Sequence, residues 1–264
     1  MNGSWLGISL VLGVLAGLVG GLALWRRIAQ PHPELTRKVV HVGMGLVSLT
    51  LPWLFAEAWP VMILAVLGAG GLLLLRVGRL RDNLGAVLGG VGRSSLGEVC
   101  FAAGVAALFV LFLREEGSPG RRLVLYVVPL LLLGIADAAA ALVGVRCGRW
   151  HYRTAADSKT VEGSASFLVC AFVGTLVPLL VVGEVTLAQS VLIAGLLGSL
   201  TMFLEAVGTH GLDNLLIPLG AFLLLRGMLD LAPVYLACGL ALVAVLTGLL
   251  VLSPARPGRG VMHA

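Results

Sequence analysis

The chain has 264 residues, of which 59% are hydrophobic and 12% charged, with a mean hydropathy of +1.04. Such a composition excludes a disordered chain and an ordinary water-soluble core, and belongs to a helical protein that crosses the bilayer several times. The formal net charge of +5 follows from where the cations fall between apolar runs, so no nucleic-acid partner is expected.

Apolar runs of about 17 to 25 residues suffice to span a bilayer. About nine stand out, at 5–25, 38–55, 58–75, 97–113, 123–144, 161–182, 186–206, 212–225 and 229–252. The eighth is short, and merges with or leans on the ninth. The first lacks a basic start and has Arg26-Arg27 behind it, which suits a retained anchor over residues 1–30 and not a cleaved leader. Its Gly13, Gly17 and Gly21 fall at a spacing that favours close helix packing, within the molecule or between copies. The sequence therefore predicts an all-α, polytopic integral membrane helical bundle, one membrane domain over 1–264, and leaves its oligomeric state open.

Most of the Lys and Arg lie in the connections after the first, third and fifth runs and in the tail, from Arg26, Arg27, Arg37 and Lys38 through Arg76, Arg79, Arg81, Arg93, Arg146, Arg149, Arg153 and Lys159 to Arg256 and Arg259. The other side holds Arg114, Arg121, Arg122 and Arg226. By the positive-inside rule the N-terminus is outside and the C-terminus cytoplasmic, with 253–264 a short mobile tail. The cell membrane is the expected location. Cys100, Cys147, Cys170 and Cys238 form no C-x-x-C pair, which points to neither a disulfide nor a zinc site.

Four polar clusters need a reason. In "PELTRKVVHVG", Arg37 and Lys38 read either as a topogenic pair at a helix start or, with His41 one turn on from Arg37, as a face for phosphate. The segment "RVGRLRDNLGAVLGGVGRSSLGEVC" is rich in Gly but lacks the Gly-Lys-Ser/Thr ending of a phosphate loop. Glu98 follows it, offsetting a helix dipole or facing the layer that holds Arg37.

The stretch "IADAAAALVGVRCGRWHYRTAADSKTVEGSASF" carries the most. Asp137, Ala140, Gly144 and Gly148 share one helical face, open to another helix or to a ligand. A carboxylate within a membrane helix costs about 2.5 to 3.5 kcal/mol at the bilayer centre on insertion scales and is a functional hypothesis by default. A basic, hairpin-like stretch follows and closes on Ser158, Lys159, Thr160, Glu162 and Gly163. A helix start with these side chains suits phosphate oxygens, and a carboxylate beside a triphosphate suits magnesium. Finally, Glu205 sits inside an apolar run, while Asp213 and Asn214 open the next. Asp213 reads as an N-cap, or with Glu205 as part of a metal or nucleotide shell. All four clusters fall on the expected cytoplasmic side, which argues for a single site.

The order R-K-x-x-H (Arg37, Lys38, His41), G-E (Gly97, Glu98), D-x-x-A-x-x-x-G-x-x-x-G (Asp137, Ala140, Gly144, Gly148), S-K-T-x-E-G (Ser158 to Gly163) and E…D-N (Glu205, Asp213, Asn214) resembles the polyprenol kinase family. Its members are the membrane phytol, farnesol and dolichol kinases, with the related CTP-dependent diacylglycerol kinases. The resemblance covers about residues 34–220, the expected catalytic core. It implies transfer of the terminal phosphate of CTP, or another nucleoside triphosphate, to the hydroxyl of a lipid alcohol among membrane lipids, with Mg2+ as cofactor. In that picture Arg37, Lys38 and Lys159 neutralise the triphosphate, and Asp137 binds magnesium or takes the hydroxyl proton. Glu205 and Asp213 complete the metal shell, and Gly144, Gly148, Ser158, Thr160, Glu162, Gly163 and Asn214 the nucleotide site, with His41 and Glu98 beside it.

Ala141 stands where phytol-kinase-type sequences have a second Asp, and Ala136 where they tend to have Gly; both look more like the dolichol branch. The rival resemblance is a CTP-dependent phosphatidate cytidylyltransferase, whose Pro-Gly-His-Gly-Gly run is absent here. A transporter with an intramembrane Asp is the non-enzymatic reading.

Overall fold

The computed structural model describes residues 2–74, 96–154, 158–209 and 211–252. The Gly-rich segment up to residue 95, with Arg76, Arg79, Arg81 and Arg93, and the tail 253–264, with Arg256 and Arg259, lie outside them.

Helices occupy all nine apolar runs: α1 (Asn2–Ala29), α2 (Pro33–Leu49) with the short α3 (Leu51–Leu54), α4 (Ala58–Leu74), α5 (Gly97–Arg114), and α6 (Pro119–Leu131) running through a π-helical turn (Leu132–Ala136) into α7 (Asp137–Cys147). Then come β1 (His151–Arg153) and β2 (Ser158–Thr160), α8 (Val161–Val182), α9 (Leu187–Val207), α10 (Asp213–Leu229) and α11 (Pro233–Leu252). The fold is the all-α membrane bundle that the composition demands, with one small antiparallel hairpin among the described residues. Among the described residues, five segments are long and apolar enough to cross a membrane unaided, namely Gly3–Ala29, Gly97–Arg114, Pro119–Cys147, Val161–Val182 and Leu187–Val207.

Helix starts follow ordinary capping chemistry. Ser118 and Thr186 accept from the N–H groups of Arg121 and Gln189, and Pro33 and Pro119 sit in first turns where no N–H is needed. α8 ends on Gly183 at φ +69°, a left-handed cap that glycine adopts freely.

The second run breaks where Pro52 falls. A proline at that point cannot donate to the carbonyl four residues back, which is that of Ser48. Tyr126 supplies the donor, its hydroxyl lying 2.8 Å from that oxygen. The eighth and ninth runs are separate helices, and α11 packs on α9.

The segment Pro119–Cys147 is the centre of the bundle, with 72% of its most apolar window buried against 22% for Val161–Val182. Leu125, Tyr126, Leu132 and Leu133 on it meet Phe109, Phe167, Leu197 and Phe222 in one core. Between helices in lipid no hydrophobic drive remains, so close packing does the work. At one crossing the backbones almost touch: a Cβ added to Gly45 would lie 3.3 Å from the Gly134 Cα. At the end of the bundle away from Asp137, Arg226 Nε reaches Glu115 at 3.0 Å and Arg121 binds both Asp230 oxygens at 2.7 and 2.8 Å.

Candidate active site

Asp137 owes its place to the wide turn before it. Pro129 interrupts the donors of α6, and beyond it the Asp137 N–H bonds the Leu132 carbonyl, five residues back. Such π turns shift a carbonyl out of register and recur at functional sites. Here the Leu133 carbonyl accepts from His41 Nε2 at 2.8 Å.

The Gly45–Gly134 crossing brings α2 within reach of this turn. Lys38 Nζ donates to Asp137 Oδ2 at 2.6 Å, and His41 Nε2 lies 3.3 Å from the same oxygen. The exposures of Lys38, His41 and Asp137 are 3%, 6% and 4%. Desolvating either ion alone would cost several kcal/mol, so neither would stay charged here without the other. Phe101 closes one side, its ring edge-on to His41 at 5.0 Å.

α2 begins at Pro33, so Arg37 and Lys38 lie inside the helix. Lys38 and His41, three apart, share the inward face, while Arg37 forks onto Glu34 at 2.5 and 3.1 Å. Burial works against the Arg37 charge, but the Glu34 bonds outweigh it and raise its pKa, with Asp137 and Asp213 adding to the pull.

The second pair comes from the hairpin. Lys159 lies opposite Tyr152 in the β1–β2 register and donates to Glu205 Oε1 at 2.5 Å. Burial pulls the Lys159 ammonium down, yet the Glu205 carboxylate overrides it, and Asp213 and Asp137 reinforce the rise. Asp137 and Asp213 thus act on both Arg37 and Lys159. Residues from α2, α7, β2, α9 and α10 share one electrostatic neighbourhood.

The other residues of the motifs join the elements. Thr160 caps α8, accepting from the Gly163 N–H at 3.1 Å. A Cβ on Gly163 would stand 2.8 Å from the Ala140 carbonyl, and one on Gly144 2.9 Å from Thr160 Oγ1; Gly148 also faces Thr160. The small face beyond Asp137 therefore receives the start of α8. Glu162 turns its carboxylate onto the N–H groups of Arg149 and Trp150, at 3.0 and 3.3 Å. Ser158 opens β2 and is exposed. Asp213 is the first residue of α10, the cap position falling on Leu212, and its Oδ1 accepts from the Asn214 N–H at 3.1 Å. Asn214 Nδ2 donates to the Gly97 carbonyl at 2.8 Å, which ties α10 to the first turn of α5 beside Glu98.

Sequence reasoning missed Glu34, Phe101 and the Leu133 carbonyl. Glu34 had a signal, since an acid three residues before Arg37 is a helix pair. The other two arise from tertiary packing and left none.

Among the described residues no three His, Cys, Asp or Glu side chains converge on a cation position. Asp137 and Glu205 are each taken by a separate lysine, Lys38 and Lys159, while Asp213 acts on Lys159 and Arg37 from α10.

The fold and site define a polytopic membrane protein with a buried, mixed-charge centre at one end of an apolar bundle. No protein-family model matches the chain, and no solved structure does. It is 31% identical over 220 residues to the phytol kinase of Synechocystis sp., an alignment that spans 83% of this chain and 90% of that protein. The chain belongs to the polyprenol/phytol kinase-like family.

Proposed function

We propose that this protein is a lipid-alcohol kinase that moves the γ-phosphate of CTP onto the hydroxyl of a prenol or polyprenol at the cytoplasmic face of the cell membrane. The observation that carries this reading is the convergence of Lys38–Asp137 and Lys159–Glu205, with Arg37 and Asp213, at one end of the bundle. Phosphoryl transfer asks mainly for positioning and charge neutralisation. Three cations from α2 and β2 and three carboxylates from α7, α9 and α10 meet that demand, and the surrounding apolar helices let a lipid chain bring its hydroxyl to the interface.

In the reaction the alcohol oxygen bonds to the γ-phosphorus while the bond from that phosphorus to the β,γ-bridging oxygen breaks, and CDP leaves. Lys38, Lys159 and Arg37 hold the phosphate oxygens, exchanging carboxylate partners for them. Asp137 accepts the hydroxyl proton or stands beside the metal. Magnesium requires only one or two protein carboxylates when phosphates supply the rest, so Asp137, Asp213 and Glu205 fit it without forming a cage. Bound there, it would neutralise charge developing on the phosphates.

The test is purified protein in nanodiscs with magnesium, a panel of prenols and diacylglycerol, and CTP labelled at the γ-position. Label in an extracted lipid supports the kinase and names its acceptor. No labelled lipid, together with labelled CDP-lipid from α-labelled CTP and phosphatidic acid, would replace it with the cytidylyltransferase.

A further inference from the structure

The chain from the end of α7 into the hairpin carries exposed side chains that the proposed reaction does not use. Arg146, Arg149, Trp150, His151 and Arg153 are all exposed, Trp150 at 72%. Glu162, at the hairpin base, is turned onto the backbone N–H groups of Arg149 and Trp150, and the Val161 N–H bonds the Trp150 carbonyl at 2.9 Å. Three exposed arginines therefore lie within four residues of an exposed indole along the chain.

Its place along the chain sets its depth. Trp150 follows the apolar segment Pro119–Cys147 by three residues, and α8, also apolar, begins at Val161. Three residues reach at most about 10 Å, and the headgroup layer outside the hydrocarbon core is roughly 5 to 8 Å thick. Indoles favour that layer, and basic groups beside it attract anionic lipid. Topology alone accounts for arginines on this side; an exposed indole between them in the chain adds an anchor at the depth where their guanidinium groups meet lipid phosphates.

We propose that this exposed segment, from the end of α7 into β1, binds the anionic phospholipids of the protein's own membrane, with Arg146, Arg149 and Arg153 on the lipid phosphates and Trp150 inserted between headgroups. Lys159 and Tyr152 are paired across the same hairpin, so lipid bound outside steadies the strand that carries the Lys159–Glu205 pair inside. The binding surface stands whatever reaction the site performs.

The experiment is fluorescence quenching in nanodiscs that contain equal mole fractions of anionic and zwitterionic phospholipid, with bromine on the upper acyl chain of one or the other. The Trp150 contribution is the difference between wild type and Trp150→Phe, a substitution on the exposed surface. The expected result is quenching of that contribution at least about twofold stronger from the anionic lipid, falling towards parity at high salt and in an Arg146→Gln/Arg149→Gln/Arg153→Gln variant. Equal quenching by the two lipids in wild type would overturn the proposal, as would quenching by neither. Both wild-type outcomes are readable even where the triple variant does not insert, and neither depends on kinase activity.

Discussion

Lys38 Nζ and Asp137 Oδ2 lie 2.6 Å apart although 99 residues separate them in the chain, and both are almost wholly buried. Opposite charges so placed are a closed set: each stays charged because the other is there. Removing one should cost about 3 to 5 kcal/mol, whereas replacing both by apolar side chains of similar size should cost much less. Thermal unfolding in detergent of Lys38→Met, Asp137→Leu and the double variant checks this. A double variant as unstable as the sum of the singles would show that the pair is not coupled.

The Gly45–Gly134 crossing is what allows that pair to form. Gly45→Leu should push α2 away from the π turn, destabilise by about 1 to 3 kcal/mol, and reduce turnover by displacing Lys38 and His41. Gly13→Leu, on a surface where nothing lies within 4 Å, should leave both stability and turnover near wild type. Stability and initial rate measured on the two variants separate a packing contact from a merely small residue.

Tyr126 donates to the carbonyl that Pro52 leaves without a helical partner. Tyr126→Phe removes the hydroxyl from that oxygen and leaves it only the Thr50 N–H, for which the expected loss is about 1 kcal/mol, with little change in KM because the bond lies far along α2 from Lys38. A variant as stable as wild type would mean that another donor reaches the Ser48 carbonyl.

The pair at the hairpin has a defined pH window. Lys159 is raised above its ordinary 10.5, so its stabilisation is fully present below the unfolded value and is lost as pH rises through the higher folded one. Unfolding midpoints of wild type and Lys159→Met should therefore differ by a constant amount from pH 7 to 9 and converge only as pH rises past the ordinary lysine value of 10.5 and through the higher folded one. Convergence already near pH 8 would contradict the assignment.

Much of this was legible beforehand. Hydropathy located all nine helical runs, because a membrane core demands long apolar stretches and continuous backbone pairing. The motif order identified the acids and bases that gather at the site, since ionisable groups are rare enough in such runs to stand out. What did not show was which cation meets which anion. Arg37 and His41 share a helical face by spacing, yet Lys38 takes Asp137 and Arg37 turns to Glu34, because the partner's position depends on how α2 crosses the π turn. Likewise Asp213 looks like a cap, but α10 starts one residue earlier, with Leu212 as its cap. The small face of Ala140, Gly144 and Gly148 was compatible with a ligand or a helix, and in the structure α8 lies against it.

The most direct test of the catalytic centre is transfer of γ-label from CTP to prenol by Asp137→Asn and Lys159→Met, each shown to be monodisperse and correctly inserted in nanodiscs. Both are expected to lose at least about 100-fold in rate, the scale seen when one charge-stabilising group is removed. A folded Asp137→Asn protein that labels prenol at the wild-type rate would contradict this expectation.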